Sequence, residues 1–294
     1  MRSFLYVPGN RPRMLESALS RGADAVIVDL EDAVPPAEKP ATRAAVAAWL
    51  ASREPGAPVF VRVNSGPDGV EDARAVVTAA ARASSASPAR PSGLLPAEGS
   101  ALRGLVVAKA DQDQLAALAG VLDALDPAGG LGLVPLLETP RALLAAAAIA
   151  SAPRVTRLQI GEADLAAELG VTPGEDEREL LLVRSAVVLA SAAAGIEPPA
   201  AAVTTDFRDL ESLRRSTLAL KRLGFRGRAC IHPAQIPVVH EVFTPSPDEV
   251  AQARDLVRRF EAAGGGVCLD ARGRMVDLAV VRDARRTLDA APSV

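Results

Sequence analysis

A short apolar run without polar alternation recurs along this chain, and each time a helix-forming segment follows it. The clearest example is GLVPLLETP, residues 132–140, in which the apolar run ends in Glu138. Pro140 then opens an alanine-rich segment, and proline suits the first turn of a helix. An apolar run of this kind indicates a strand buried on both faces, which is typical of a parallel sheet covered by helices.

Eight units of this kind follow one another in the sequence. Their predicted strands are Ser3–Val7, Asp24–Leu30, Pro58–Val63, Gly104–Val107, the run from Gly132 to Glu138, Arg157–Gly161, Ala200–Thr205 and Arg228–Ile231. Eight strand-then-helix units are the number that closes a (β/α)8 TIM barrel. An open doubly wound sheet would also alternate in this way, but it would need a glycine-rich phosphate-binding turn after the first strand, where this chain has PGNRP. The pattern therefore favours the barrel.

The barrel is expected to occupy residues 1–245, and a C-terminal helix with a short helical lid residues 246–294. After the sixth strand we predict a single long helix, Asp176–Ala194. Residues 83–100 are rich in Ser, Pro and Ala and have no periodicity, which indicates a solvated loop or insertion.

Composition excludes several classes of protein. With 49% hydrophobic and 23% charged residues the chain can bury a core, and a net charge of −3 provides no field that would attract nucleic acid or acidic lipid. Two cysteines are too few for a disulfide framework or a thiolate metal site. No apolar run approaches the roughly 20 residues that a membrane span needs. We therefore expect a soluble cytoplasmic protein with no nucleic-acid or membrane partner.

Polar side chains follow most of the predicted strands at the end where barrel active sites lie. These residues are Arg11, Glu31, Asp32, Arg62, Asn64, Lys109, Glu138, Asp164, Asp206 and His232. The set carries charges of both signs, as expected for a metal-assisted site that also holds an anionic substrate. Acids at two successive strand ends, in a chain with only two histidines, suggest an oxygen-ligand site for a hard divalent cation.

Structural roles for the same residues remain open from sequence alone. Glu138 and Asp164 could instead be helix N-caps or acids in the first turn of a helix. Arg62 could pair with a carboxylate at the rim, and Lys109 could contact substrate or form a salt bridge within the barrel. Asp29 is interpreted as structural, and His232 as a satisfied histidine at the end of its strand.

Six segments together resemble a known family. In chain order they are RSFLYVPGNRP, DAVIVDLEDAV, VRVN, ETP, GEADLAAELG and CIHPAQI. They resemble the citrate lyase β-subunit-like group of the HpcH/HpaI aldolase superfamily, which includes malyl-CoA, β-methylmalyl-CoA and citramalyl-CoA lyases. The resemblance spans roughly residues 2–284. It implies a (β/α)8 barrel that assembles as a homotrimer or hexamer and uses Mg²⁺ to cleave or form a carbon–carbon bond next to a thioester.

The resemblance also implies roles for individual residues. Glu138 and Asp164 correspond to the metal ligands, and Arg62 to the arginine that holds the substrate carboxylate. Glu31 and Asp32 correspond to the acidic pair that lies beside the metal and orders its waters. The cations implied to approach the CoA phosphates or the substrate are Arg11, Arg13, Lys39, Arg43 and Lys109.

The C-terminal segment resembles a lid whose aspartate reaches the site of a neighbouring subunit. RMVD, residues 274–277, fits that motif, so Asp277 is the candidate acid/base, although acids in a terminal segment are usually just solvated. Two blocks depart from the family pattern. The fourth strand ends AKAD where P-K-V-E is usual, and Ile160 replaces the phenylalanine that commonly precedes the glycine of the GEADLAAELG block.

The expected function is a Mg²⁺-dependent lyase that releases a 2-oxo acid, glyoxylate or pyruvate, and an acyl-CoA from a substrate such as malyl-CoA or citramalyl-CoA. The same groups could run the reaction as a synthase or hydrolyse the thioester. One alternative is a citrate lyase β-subunit that acts on a carrier-bound citryl thioester. The other is a barrel without catalytic activity that serves as a binding protein.

Overall fold

The structure is a computed structural model that describes residues 1–53, 56–85 and 100–291. The chain divides into two compact units, Met1–Val239 and His240–Val294. The boundary predicted after residue 245 falls slightly later, and the interpretation of the second segment as a lid stays a prediction.

The first unit is built around a closed barrel of eight parallel strands, in which each strand pairs with the next and the eighth pairs with the first. The strands are β1 Ser3–Pro8, β2 Ala25–Asp29, β3 Val59–Val63, β4 Leu102–Val107, β5 Gly132–Leu137, β6 Arg157–Ile160, β7 Glu197–Ala201 and β8 Gly227–Cys230. The predicted (β/α)8 barrel is therefore confirmed.

Helices surround the strands and supply the outer layer. They are α1 Pro12–Ala18, α2 Lys39–Ala51, α3 Gly66–Ser85, α4 Gln112–Leu125, α5 Pro140–Leu144, α6 Ala146–Ala150, α7 Glu162–Leu169, α8 Leu181–Ala194, α9 Leu210–Leu223 and α10 Gln235–Phe243. Inward-facing side chains such as Phe4, Ile27, Phe60, Val106 and Leu136 pack into one buried cluster inside the barrel. The barrel is therefore a filled core, and ligands have to bind at its ends.

Two predicted elements after the sixth strand are wrong. The seventh strand is Glu197–Ala201 and not Ala200–Thr205. It contains two prolines, and its register against β6 is irregular between Arg157 and Gln159. Proline is uncommon inside a strand, so the sequence pattern does not indicate a strand over these residues. The predicted helix Asp176–Ala194 begins only at Leu181, since Glu177 adopts a left-handed backbone that ends helical continuity.

The loop predicted over residues 83–100 can be compared only in part. Residues up to Ser85 belong to α3, and Ser100 is buried just before β4. Residues 86–99 lie outside the described part of the chain.

The second unit consists of α11 Pro247–Ala262, a small antiparallel hairpin of β9 Cys268–Leu269 and β10 Met275–Val276, and α12 Leu278–Asp289. A capping box starts α11: Ser246 accepts from the backbone N–H of Glu249, whose side chain accepts from the backbone of Ser246. Phe260, Val276 and Val281 form the small core of this unit. Within the described residues, no helix combines the length and apolar character needed to cross a bilayer.

Candidate active site

A cavity of about 530 Å³ lies where the strands of the barrel end. Its walls come from the ends of β1, β2, β3, β5 and β6 and from the residues that follow β7 and β8. The polar side chains that line it are Tyr6, Asp29, Asp32, Arg62, Glu138, Gln159, Glu162 and Asp164. The volume is in the range of small-molecule sites, and the position is that of the active sites of barrel enzymes.

Glu138 is the most deeply buried acid of the predicted metal site. It follows β5 directly, is only 2% exposed, and its Oε1 accepts the backbone N–H of Lys109 at 2.6 Å. Burial raises the pKa of Glu138 to about 7, although the Lys109 N–H and the charge of Arg62 act to lower it. A bound cation would favour the ionised form, so cation binding at this carboxyl releases a proton near neutral pH.

Asp164 lies in the first turn of α7 and lines the same cavity as Glu138. It is exposed, and it receives no hydrogen bond or ion pair from any described residue. Neither acid caps a helix, because Thr139 caps α5 and Gly161 occupies the N-cap position of α7. The N-cap interpretation is therefore wrong for both acids, whereas Asp164 does have the first-turn position that the structural alternative expects, and its metal role stays a prediction.

Arg62 is buried at the end of β3 and is held by the acid that sequence analysis treated as structural. Its Nε and Nη2 donate to the two carboxylate oxygens of Asp29 at 2.7 and 2.6 Å. Its Nη1 lies 3.2 Å from both Glu31 and Asp32. Burial alone would lower the pKa of Arg62, but the Asp29 carboxylate outweighs it and raises that pKa. The guanidinium is therefore a fixed cation on the cavity wall.

Glu31 and Asp32 extend this network toward Lys109. The Lys109 ammonium donates to Glu31 at 2.7 Å and lies 4.0 Å from Asp32. Burial raises the pKa of Glu31. Burial acts in the same direction on Asp32, but the hydrogen bond with Glu31 and the charge of Arg62 outweigh it and lower the pKa of Asp32. The two acids are thus paired with cations, and Lys109 forms the salt bridge that was one of its two predicted roles.

Tyr6 and Gln159 are polar residues of the cavity that sequence analysis did not single out. Gln159 Nε2 donates to the hydroxyl of Tyr6 at 3.0 Å, and the Tyr6 ring lies under the Arg62 guanidinium at 5.2 Å. Burial raises the pKa of Tyr6, which keeps its hydroxyl protonated. Gln159 had a signal in the sequence, since it is a polar side chain in the middle of an apolar strand.

The cations predicted to contact CoA phosphates lie at the start of α1 and on α2. Arg11 and Arg13 are exposed at the start of α1, whereas Lys39 donates to Oδ1 of Asn64 at 2.5 Å. Arg43 is on α2, and its guanidinium contacts Asp72 of α3 at 2.5 Å and two further acids of that helix. A role in CoA binding stays a prediction for all four cations.

Asp277 belongs to the second unit and begins its last helix. Its carboxylate accepts the backbone N–H groups of Ala279 and Val280 at 2.9 and 3.0 Å, so it is the N-cap of α12. Its predicted part in catalysis stays a prediction. His232 has ordinary structural contacts: its Nδ1 accepts the N–H of Ala234 at 3.1 Å and its ring stacks on Phe207.

The donor set of the cavity fits a hard cation with an incomplete protein shell. In the described ranges, no group of three or more His, Cys, Asp or Glu residues is arranged to bind a metal. Glu138 and Asp164 supply two carboxylates to one cavity. Mg²⁺ is usually bound by one or two carboxylates, with water or substrate oxygens completing its octahedron, so these two residues suit it.

Gly161 provides the space that the Glu138 side chain occupies. A Cβ at this position would lie 2.6 Å from Cβ of Glu138 and 2.9 Å from its Oε2. We therefore expect Gly161→Ala to displace the carboxylate and to weaken Mg²⁺ binding by about 10–100-fold, as measured by calorimetric titration. In the matched control Gly120→Ala, the added methyl meets no atom within 4 Å. This helical substitution should leave metal affinity unchanged, and equal affinities in both variants would contradict the prediction.

The sequence and the structure of this chain are both similar to those of known proteins. The family model for HpcH/HpaI aldolase/citrate lyase matches residues 2–87 and 99–233. The chain belongs to this family. Membership in the HpcH/HpaI aldolase/citrate lyase family confirms the resemblance drawn from the six sequence segments.

Individual family members match this chain over most of its length. A (3S)-malyl-CoA thioesterase of Cereibacter sphaeroides is 35% identical over 297 residues, which cover 100% of this chain and 95% of the relative. The mitochondrial citramalyl-CoA lyase of Mus musculus is 29% identical over 306 residues, which cover 100% and 86%. The crystal structure of CitE from Mycobacterium tuberculosis in complex with magnesium, acetoacetate and coenzyme A has a TM-score of 0.71 and 28% identity, and covers 99% of this chain and 97% of that chain.

Proposed function

We propose that this protein is a Mg²⁺-dependent carbon–carbon lyase. Its substrate would be a 3-hydroxyacyl-CoA such as malyl-CoA or citramalyl-CoA, and its products a 2-oxo acid (glyoxylate or pyruvate) and an acyl-CoA. The observation that carries the proposal is the meeting of Glu138 and Asp164 on one cavity with the fixed cation of Arg62. The names of the similar proteins support the substrate class, since they include a malyl-CoA thioesterase and a citramalyl-CoA lyase.

Glu138 and Asp164 would hold the Mg²⁺ ion, which, when bound, stabilises negative charge that develops on substrate oxygens. Both acids are acceptor-only when ionised, so they bind the cation and leave its other positions to water and substrate. The raised pKa of Glu138 follows from burial, and the cation would offset that burial when it binds. The CitE structure that contains magnesium and acetoacetate is consistent with this use of the cavity.

Arg62 would bind the carboxylate of the oxo acid, and its contacts decide how. Asp29 occupies Nε and Nη2, so the substrate has to approach through Nη1. The contacts of Nη1 with the acids Glu31 and Asp32 are the longest that Arg62 makes with a carboxylate, at 3.2 Å. They are therefore the contacts of Arg62 that a substrate carboxylate would replace.

Cleavage requires a proton to leave the substrate hydroxyl and another to reach the carbon next to the thioester. The hydroxyl oxygen becomes the carbonyl of the oxo acid as the carbon–carbon bond breaks, and the bonding electrons pass to the thioester as an enolate. We assign both proton transfers, as acid and base, to the Asp277 side chain of a neighbouring subunit in a homotrimer or hexamer. This assignment rests on the family resemblance, and Glu31 and Asp32 would order water beside the metal.

The decisive experiment offers malyl-CoA and citramalyl-CoA to the purified protein, with Mg²⁺ and with chelator, and follows two products separately. A lyase releases oxo acid and keeps the thioester, so no free thiol forms. Free thiol without oxo acid would instead identify a thioesterase, the alternative favoured by the 35% identical malyl-CoA thioesterase. Undiminished turnover with chelator would contradict the metal assignment.

A second alternative is a citrate lyase β-subunit that acts on a carrier-bound citryl thioester. The same experiment separates it, because turnover of free CoA esters by the isolated chain counts against a requirement for a carrier. No turnover with any CoA ester, together with no Mg²⁺ binding, would favour a non-catalytic binding protein.

A further inference from the structure

Lys109 has a backbone conformation that lysine rarely adopts. Its φ is +48°, in the left-handed region, where the Cβ of an L-residue crowds its own backbone. Among the described residues only two other non-glycine residues, Arg154 and Glu177, share a positive φ. Of the three, Lys109 is the one that lies two residues after the end of a barrel strand, β4, at the end of the barrel where the cavity opens.

The left-handed turn points the backbone N–H of Lys109 at the candidate metal ligand. That N–H donates to Oε1 of Glu138 at 2.6 Å. The other oxygen, Oε2, lies on the side of Gly161, 2.9 Å from where a Cβ of that glycine would be. Gly161 immediately precedes α7, which carries Asp164. The hydrogen bond therefore fixes Oε1 of Glu138, while Oε2 faces the start of α7, the helix that carries Asp164.

The side chain of Lys109 secures the same turn from its other end. Its ammonium donates to the buried Glu31 at 2.7 Å, and Glu31 belongs to the network around Arg62. One residue thus connects the acidic pair after β2 to the acid after β5. A strained backbone that persists is held by its surroundings, and here those surroundings are two carboxylates of the candidate site.

We infer that Lys109 is a positioning residue for the cation site: its left-handed turn, held by Glu31, orients Glu138 through the backbone N–H. This inference rests on the proposed function, because it assigns Glu138 to metal binding. It differs from the expected substrate contact of the Lys109 ammonium, since the effective group is the peptide N–H.

Three substitutions separate the backbone from the side chain. Lys109→Gly, Lys109→Ala and Lys109→Val all remove the ammonium, but glycine adopts the left-handed region freely, alanine at a cost, and β-branched valine at a larger cost. We expect Mg²⁺ affinity, measured by calorimetric titration with MgCl₂, to fall in the order Gly, Ala, Val. The valine variant should bind about tenfold more weakly than the glycine variant.

Arg154→Val is the matched control for backbone strain. Arg154 has a φ of +66° and precedes β6, and its carbonyl accepts from Leu133 near the start of β5, at the opposite end of the barrel from Glu138. This variant should lose thermal stability as Lys109→Val does, but it should bind Mg²⁺ like the unmodified protein. A general loss of fold would lower metal affinity in both.

The outcomes distinguish this inference from the proposed function. If the unmodified protein binds Mg²⁺ and the glycine and valine variants bind it equally, the turn does not position Glu138 and the inference is wrong while the function stands. If the valine variant does not fold, the alanine and glycine variants decide in the same way. If the unmodified protein binds no Mg²⁺, both the proposed function and this inference fail.

Discussion

Glu138→Gln is expected to abolish measurable Mg²⁺ binding and to lower turnover by about 10³-fold or more. Glutamine keeps the shape of the side chain, and its carbonyl oxygen can still accept the Lys109 N–H that Oε1 accepts now. What it removes is the negative charge, and a neutral amide is a poor ligand for a hard cation. Because burial already raises the pKa of Glu138 to about 7, a neutral side chain fits this position and the fold should survive.

The comparison variant for Glu138→Gln is Glu168→Gln, on the exposed face of α7 and outside the lining of the cavity. It changes the net charge by the same amount but should leave cation affinity and turnover as they are. Circular dichroism and thermal unfolding would establish that both proteins are folded. Retained Mg²⁺-dependent turnover in the Glu138 variant would overturn the metal assignment. The other described carboxylates that line the cavity with Asp164 are already paired, Asp29 and Asp32 with Arg62 and Glu162 with Arg184.

The sequence predicted the barrel and the place of the site for one physical reason. Parallel strands joined by helices all point the same way, so residues that follow successive strands meet at one end. Glu138 follows β5 and Asp164 follows β6, the next strand of the barrel, and the two acids line one cavity as a result. Strand-end acids are therefore predictable from pattern alone once the topology is known.

Contacts that depend on register and backbone conformation were not predictable in this way. Asp29 pairs with Arg62 because the two lie opposite each other in β2 and β3, and the strand pattern does not specify that register. The left-handed turn at Lys109 has no signal in the sequence, since lysine does not favour it. The seventh strand includes the two prolines after Glu197, because barrel closure outweighs the low strand propensity of proline.

Arg62→Met is expected to destabilise the fold by about 3 kcal/mol or more, because it leaves Asp29 as a buried charge without its cation. Urea denaturation would measure the loss. Methionine approximates the length of the arginine stem, so lost packing contributes little beside lost charge. The same variant should lose affinity for glyoxylate or pyruvate in the presence of Mg²⁺, because no other Lys or Arg among the described residues lines the cavity.

Adding Asp29→Asn to Arg62→Met separates the two roles of the arginine. The asparagine removes the uncompensated charge while its oxygen can still accept one of the backbone N–H groups, from Glu31 or Ala33, that Asp29 accepts. The double variant should therefore recover part of the lost stability, as replacement of both members of a buried pair commonly does. It should not recover oxo-acid binding, because the cation is still missing. Recovery of both properties together would mean that Arg62 only neutralises Asp29, and that the substrate carboxylate binds elsewhere.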